Sequence, residues 1–423
     1  MSIDELNNEK MMLEKEYLEY KSKNLKLDMS RGKPSSEQLD LSNKMLSCLC
    51  ESDKINYEID IRNYGFPNGL DEARLLMSNL MGCDKKNVII GGNSSLSLMH
   101  DVISHFYING FNGCEPWSKG KNKFLCPSPG YDRHFQMCEY FNIEMIPIKM
   151  TKVGPDIKKI ESLVSTDESI KGIWCVPKYS NPEGITYSDE TVSRLAKLRP
   201  LAKDFKILWD NAYSVHDFYE YKTLLNIFDE CTNNGNQNFP IVFCSTAKIT
   251  FPSGGISAIG CIDKNFEEMQ NYYSRKTIGF DKINQLRHIK FLKNLDTIKA
   301  HMAKHAKILI PKFNLILDYF KKNFENNSIV KWTNPKGGYF ISVETYGSAK
   351  RIETLCSNIG LTITSVGAAF PYNVDINDSN IRIAPSYPNI EELELAIKIF
   401  CNCVKISAIE KIIEQRRKTR YFI

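Results

Sequence analysis

The chain has 423 residues, enough for two or three domains of ordinary size. Its composition is 42% hydrophobic, 25% charged and 11% aromatic, which excludes a collagenous, mucin-like or wholly disordered protein. Fifty-five Lys and Arg stand against 50 Asp and Glu, and a formal charge of +5 over this length makes no electrostatic case for nucleic acid.

The 13 cysteines contain no Cys-x-x-Cys pair; the closest spacings are Cys48/Cys50 and Cys401/Cys403. A zinc ribbon or redox dithiol is therefore not expected, and no metal site is read from the sequence. Reduced, mostly buried cysteines in a cytoplasmic protein are. The first ten residues are polar, and no apolar run approaches the ~18 residues of a membrane span. The expectation is a soluble protein with no membrane partner.

In chain order, Leu6, Leu13, Tyr17 and Tyr20 predict an amphipathic outer helix, followed by a turn-rich stretch at 28–34. From about residue 86, short apolar runs alternate with helical stretches. The runs are 88–90, 123–126, 145–148, 172–176, 205–209, 241–244 and 256–262. Most are β-branched or aromatic, near-continuous and bounded by Gly, Pro or Asn, the pattern of parallel strands buried on both faces. Seven runs predict one large α/β domain with a mostly parallel seven-stranded sheet. The polar patch 232–238 reads as a loop. After about residue 290 the pattern becomes helical, then α+β. A strand behind a turn is expected at 337–343. Asn389 with Glu392 predicts a helix start, and Leu393, Ala396, Ile397, Phe400 and Val404 its buried stripe. The basic end, 416–420, reads as a solvated tail. The predicted division is a large domain at 56–300 and a smaller α+β domain built from 1–55 and 301–423.

Open parallel sheets bind ligands beyond the carboxyl ends of their strands, so the segment after each run is where chemistry is expected. The first run empties into Gly91-Gly92-Asn93-Ser94-Ser95 and a helix start, a turn able to receive an anion, though many such turns only connect. The second leads to Pro127-Ser128-Pro129-Gly130-Tyr131, which presents an aromatic ring or closes the core. The fourth leads to a stiff polar loop with Asn181 before Pro182, and the fifth to Asp210-Asn211-Ala212-Tyr213. A carboxylate at a buried strand end wants a cation or caps a helix. The sixth leads to Ser245-Thr246-Ala247-Lys248, where burial would lower the lysine's pKa and free a nucleophilic amine. Late in the chain, Arg382 sits in an apolar strand-like setting and needs an anionic partner, either a substrate or a structural carboxylate.

Taken together and in order, these signals describe a pyridoxal phosphate site. The chain resembles the fold-type I aminotransferases of class I/II, and within them the bacterial type 1C aspartate aminotransferases. The phrases that carry the resemblance run from SRGKPS at 30–35 through RNYG, GGNSSL, CPSPGYDRH, SNPEG, WDNAY, STAKITF and DKINQLRH to NIRIAPS at 380–386. The resemblance implies the PLP-dependent transferase fold and amino transfer between an amino acid and a 2-oxo acid, with aspartate and 2-oxoglutarate foremost. Transamination of aromatic or other amino acids, or C–S lysis on the same cofactor, are the alternatives, with a non-catalytic regulator that keeps the fold behind them. It implies Lys248 as the residue that bonds pyridoxal 5'-phosphate and shuttles the proton, and Asp210 at the ring nitrogen. Asn181 and Tyr213 would bind the phenolic oxygen and Tyr131 would stack on the ring. Asn93, Ser94, Ser95 and Ser245 would hold the phosphate. It further implies a homodimer with shared active sites, in which Tyr64 reaches the neighbour's phosphate, and Arg382 on the substrate's α-carboxylate beside Gly32.

One departure stands out. The wider class carries an arginine about eight residues after the lysine, where this chain has Pro252-Ser253-Gly254-Gly255-Ile256. A dicarboxylate also needs a second cation. Lys282 and Arg287 are the first candidates, either of which reads equally as a helix surface charge. Lys178 and Arg31 are the alternatives from other loops.

Overall fold

The computed structural model describes residues 1–56, 59–326 and 328–420. Eight strands form the main sheet: β1 (Val88–Ile90), β2 (Lys123–Ser128), β3 (Glu144–Thr151), β4 (Gly154–Pro155), β5 (Ile170–Cys175), β6 (Lys206–Asp210), β7 (Pro240–Ser245) and β8 (Ser257–Gly260). Their order is β1-β8-β7-β6-β5-β2-β3-β4. Strand β8 runs antiparallel to both neighbours, and β4 is a short antiparallel return on β3. The rest pair parallel. All seven apolar runs are strands of this sheet, with β4 as an unpredicted edge.

The sheet is buried on both faces, which is why its strands read as continuous apolar runs rather than alternating ones. One core gathers Val88, Ile90, Leu125, Ile173, Trp209 and Val242 with the flanking helices. The other takes the alternate residues, among them Ile89, Phe124, Trp174, Leu208 and Phe243. Because the parallel strands share a direction, Ser128, Cys175, Asp210 and Ser245 all end on the same edge of the sheet.

A third core joins N-terminal and C-terminal residues: Tyr17, Leu27 and Met29 pack with Ile341, Ile381, Ile397 and Phe400. It covers a three-stranded antiparallel sheet of β9 (Val330–Trp332), β10 (Ile341–Thr345) and β11 (Asn380–Ile383), with β10 in the middle. Residues Leu27–Asp28 pair parallel with Leu361–Thr362, which ties the start of the chain to its last third. The first helix, Ile3–Lys21, buries Leu6 and Tyr17. The C-terminal helix Ile390–Arg420 starts at the expected cap, where the Glu392 amide donates to Asn389 Oδ1 at 2.8 Å. That helix continues through 416–420, so the expected tail is helical, and helix Ile227–Asn233 takes the first two residues of the expected loop. Helix Leu295–Phe324 belongs to both halves: Ile298 and Met302 lie in the large-sheet core, Ala306 onward in the third. The expected boundary at residue 300 therefore falls inside one continuous helix.

Candidate active site

Beyond the carboxyl edge of the main sheet lies a cavity of about 760 Å³. Gly32, Asn93, Ser94, Ser95, Tyr131, Asn181, Asp210, Tyr213, Ser245, Lys248 and Arg382 all line it. Eleven of the fourteen residues read from the sequence thus meet in one place, although they span positions 32 to 382. Tyr64, Lys282 and Arg287 do not line it.

Lys248 follows β7 on a tight turn, partly exposed to the cavity, with Nζ 4.9 Å from the centre of the Tyr213 ring. Burial pulls its ammonium below the ordinary lysine value, and the charge of Asp210 opposes that shift. Asp210 is the last residue of β6 and is 4% exposed. Its Oδ2 meets His134 Nε2 at 3.2 Å, while its Oδ1 is buried with no partner among the described residues. An orphaned buried carboxylate oxygen is costly and wants a donor that the protein does not supply. His134 is itself fixed by stacking on Trp174, with ring centres 4.2 Å apart and planes 6° off parallel. Burial pushes the Tyr213 and Tyr131 phenols up, so both remain neutral donors.

Arg382 projects from β11. Its Nη1 donates to Asp132 Oδ1 at 2.9 Å and Asn181 Oδ1 at 3.2 Å, and its Nε to Thr364 Oγ1 at 3.3 Å. The guanidinium carbon lies 5.0 Å from the centre of the Phe340 ring. Gly32 is required here by close approach: a β-carbon on it would fall 2.2 Å from Phe340 Cζ. Helix Ser95–Asn109 begins at the cavity wall with Ser94 as N-cap, so its first N–H groups form an anion-binding end. Asn93 turns instead to the loop at 252–253, its Nδ2 3.3 Å from the carbonyls of Pro252 and Ser253.

The lining carries five cations, Arg31, Lys33, Arg133, Lys248 and Arg382, against two carboxylates, Asp132 and Asp210. The cavity is built for anions. Asp132, Arg133 and His134 were absent from the sequence reading of the site. All three sit just after Tyr131 in the first turn of helix Asp132–Tyr140, a position that reads as ordinary helix-start polarity.

The remaining cations lie elsewhere. Lys178 is 2% exposed and neutralised, its Nζ 2.9 Å from both Asp217 Oδ2 and the Ser214 carbonyl. It is a structural ion pair, which corrects its reading as a substrate cation. Lys282 is 6% exposed and donates to the Gly65 carbonyl at 3.2 Å, bracing the turn that carries Tyr64. Tyr64 itself is 80% exposed. Arg287 is half-buried on helix Lys282–Leu292.

These residues fit pyridoxal phosphate: an amine depressed by burial, an orphaned carboxylate oxygen, neutral phenols, and a helix start and hydroxyls for an anionic group. Comparison with known proteins gives the family. The profile of the family described as aspartate amino-transferase matches residues 1–416. An aspartate aminotransferase of Corynebacterium glutamicum is 39% identical over 403 residues, covering 94% of this chain and 93% of that protein. The crystal structure of an aspartate transaminase from the same organism superposes with a TM-score of 0.94 at 38% identity, over 97% of this chain and 98% of that one. At 18% identity, a multiple substrate aminotransferase from Thermococcus profundus shares the fold, with a TM-score of 0.74 over 95% of both chains. Matched along nearly its whole length, this chain belongs to the aspartate aminotransferase family and is an aminotransferase.

Proposed function

We propose that this chain moves an amino group between aspartate and a 2-oxo acid, 2-oxoglutarate foremost, with pyridoxal 5'-phosphate held through Lys248. The observation that carries the reading is the convergence of Lys248, the orphaned Asp210 Oδ1 and the Arg382 guanidinium on one cation-rich cavity. When bound, the cofactor supplies an electron sink for the charge left when a proton leaves the substrate's α-carbon. The protein's part is done by its own groups. Asp210 Oδ1 would accept from a protonated ring nitrogen, while His134 keeps the other carboxylate oxygen occupied. Asn181 has its Oδ1 on Arg382 and its Nδ2 left to donate, with the Tyr213 hydroxyl, to the phenolic oxygen. Tyr131, in the cavity wall, would cover a ring face. Ser94, Ser95, Ser245 and the helix start take the phosphate. Arg382 grips the α-carboxylate. Lys248 Nζ would take the α-proton and hand it on, the task for which a depressed pKa suits it.

The distal carboxylate needs a cation of its own, because a desolvated unpaired carboxylate is expensive. In this chain's own cavity that cation is Arg31 or Arg133. Both are exposed side chains in the lining, and no ion pair joins either to a carboxylate among the described residues. Lys282 and Arg287 lie outside that cavity and would serve from a second copy. Homodimerisation with Tyr64 reaching the neighbour's site is part of the same proposal, supported by a surface that exposes Tyr64, Phe66, Ile278 and Ile283. So is a two-domain division, 56–300 against 1–55 with 301–423, the helix Leu295–Phe324 passing between them. A cytoplasmic setting is supported by 13 free cysteines, nine of them buried. Among the described residues no helix is long and apolar enough to cross a membrane.

A donor screen with 2-oxoglutarate tests the reading. Aspartate is expected to exceed alanine and phenylalanine in kcat/KM. Arg133→Ala or Arg31→Ala is expected to cut that preference by about 1 kcal/mol, roughly fivefold, the scale of a solvent-accessible ion pair. A wild-type preference for an apolar donor overturns the substrate assignment.

A further inference from the structure

The chain has seven histidines, and four of them surround the five-residue turn that carries Lys248. The turn leaves β7 at Ser245 and folds on itself, the Ile249 and Thr250 amides donating to the Thr246 carbonyl at 2.9 and 2.8 Å. A single turn of this kind leaves its later carbonyls without helical partners. Two consecutive ones are met by imidazoles. His216 Nε2 lies 3.3 Å from the Lys248 carbonyl, and His301 Nε2 lies 2.9 Å from that of Ile249. His305 stands beside it, its Nε2 3.2 Å from that of His301. On the other side, His288 Nε2 lies 3.0 Å from Thr246 Oγ1 and 3.1 Å from Thr250 Oγ1.

The surrounding bonds set the tautomers. His305 Nδ1 accepts from Gln38 Nε2 at 3.1 Å, so its Nε2 carries the proton. The Gln38 amide is oriented in turn by Ser35, whose N–H donates to Oε1 at 3.2 Å. His288 Nδ1 faces the Asn284 carbonyl at 2.8 Å, so that nitrogen is the protonated one and Nε2 accepts from the threonine hydroxyls. All four rings are held uncharged by burial. His288 is pulled to about 4 and His305 to about 3, and His216 well below its ordinary value. His301 is lowered for the same reason. Neutral rings suit the place, since a fixed cation beneath Lys248 would repel its ammonium.

The four rings do not belong to one element. These come from three distant parts of the chain, the loop after β6 and the helices Lys282–Leu292 and Leu295–Phe324, and converge on residues 246–250.

We propose that His216, His288, His301 and His305 are positioning residues, an uncharged hydrogen-bonding cradle that fixes the turn and so the place of the Lys248 amine. This rests on the reading of Lys248 as the reacting lysine. The test compares His216→Leu and His301→Leu with His216→Gln and His301→Gln, since the glutamine amide can still donate. The first readout uses cofactor-free protein: the pH dependence of Lys248 acetylation by acetic anhydride, measured by peptide mass spectrometry. Loosening the turn admits water to the amine, so the leucine variants are expected to titrate about half a pH unit or more higher. The glutamine variants should stay near wild type. In cofactor-loaded enzyme, kcat with aspartate should fall roughly 10- to 100-fold in the leucine variants, the scale set by small misplacements of a reacting group. KM should hold within about threefold, as substrate grip lies with Arg382. If a leucine variant does not fold, His301→Asn or His216→Asn takes its place, polar but too short to reach. Folded variants of this kind with wild-type titration and wild-type kcat overturn the proposal. Lys248→Ala that still transaminates would instead overturn the underlying reading, and it leaves the acetylation result untouched.

Discussion

Arg382 carries Asp132, Asn181 and Thr364 before any substrate arrives. The Asp132 carboxylate and an incoming α-carboxylate would share one guanidinium. Removing the resident charge while keeping the shape, Asp132→Asn, should therefore lower KM for both amino acids about fivefold, or ~1 kcal/mol. Steady-state kinetics decide it. A raised KM would mean that Asp132 orients Arg382 rather than competing for it. Asp210→Asn addresses the other end of the site. Without its charge the ring nitrogen is no longer held protonated, and each unit of lost pKa is worth about 1.36 kcal/mol. Turnover should fall about 100-fold or more, while His134→Leu, which leaves Oδ2 unpaired but the charge present, should cost about 1 kcal/mol, roughly fivefold. The reverse order of kcat losses would count against Asp210 at the ring. Lys248, Asp210, Asn181 and Arg382 were legible in the sequence because each polar residue follows or interrupts a buried strand. Asp132, Arg133 and His134 were not, because three polar residues at a helix start carry no mark of what they face.

At the level of elements, the sheet was readable for a physical reason: burial on both faces leaves unbroken β-branched and aromatic runs. The cradle around Lys248 was unreadable, because isolated histidines scattered along the chain show no pattern until the fold joins them. The same is true of Lys206, inside β6 and 1% exposed. Its Nζ lies 3.5 Å from the centre of the Phe111 ring and donates to the Asn238 carbonyl at 2.9 Å. Burial lowers it to about 7. Between that value and the ordinary lysine value the unfolded chain holds a proton that the folded chain lacks, so this residue's contribution to stability rises with pH over that window. Below pH 7 the folded protein carries a buried charge. Lys206→Met should thus be the more stable protein at pH 6, by roughly 1–3 kcal/mol, and lose that advantage by pH 9. The Asn238 carbonyl keeps its bond from Asn265 Nδ2 in the variant. Urea unfolding at the two pH values measures this, and an advantage that does not shrink with pH would contradict it.

For the whole molecule, the three residues outside the cavity are as informative as the eleven within. Lys282 braces Gly65, a β-carbon on Gly279 would fall 2.5 Å from the Gly65 oxygen, and Tyr64 stands 80% exposed between them and solvent. A braced, exposed tyrosine beside Phe66, Ile278 and Ile283 is what a shared site requires of each copy. Sedimentation equilibrium is expected to give twice the chain mass, and Tyr64→Ala to weaken cofactor retention on dialysis without dissociating the dimer. A monomer with full activity would remove the shared-site proposal. Lys282 and Arg287 lie outside this chain's cavity, and in the sequence a helix-surface charge and a charge that serves a second copy look alike.

The most direct test is the steady-state transamination of aspartate with 2-oxoglutarate by wild type and Lys248→Ala side by side. Wild type should form oxaloacetate with kcat in the ordinary enzymatic range of about 1–10³ s⁻¹. Lys248→Ala should lose at least about 10³-fold, since both the covalent anchor and the proton carrier are gone. Turnover by the variant within tenfold of wild type, or a wild type inert toward aspartate, would contradict the assignment.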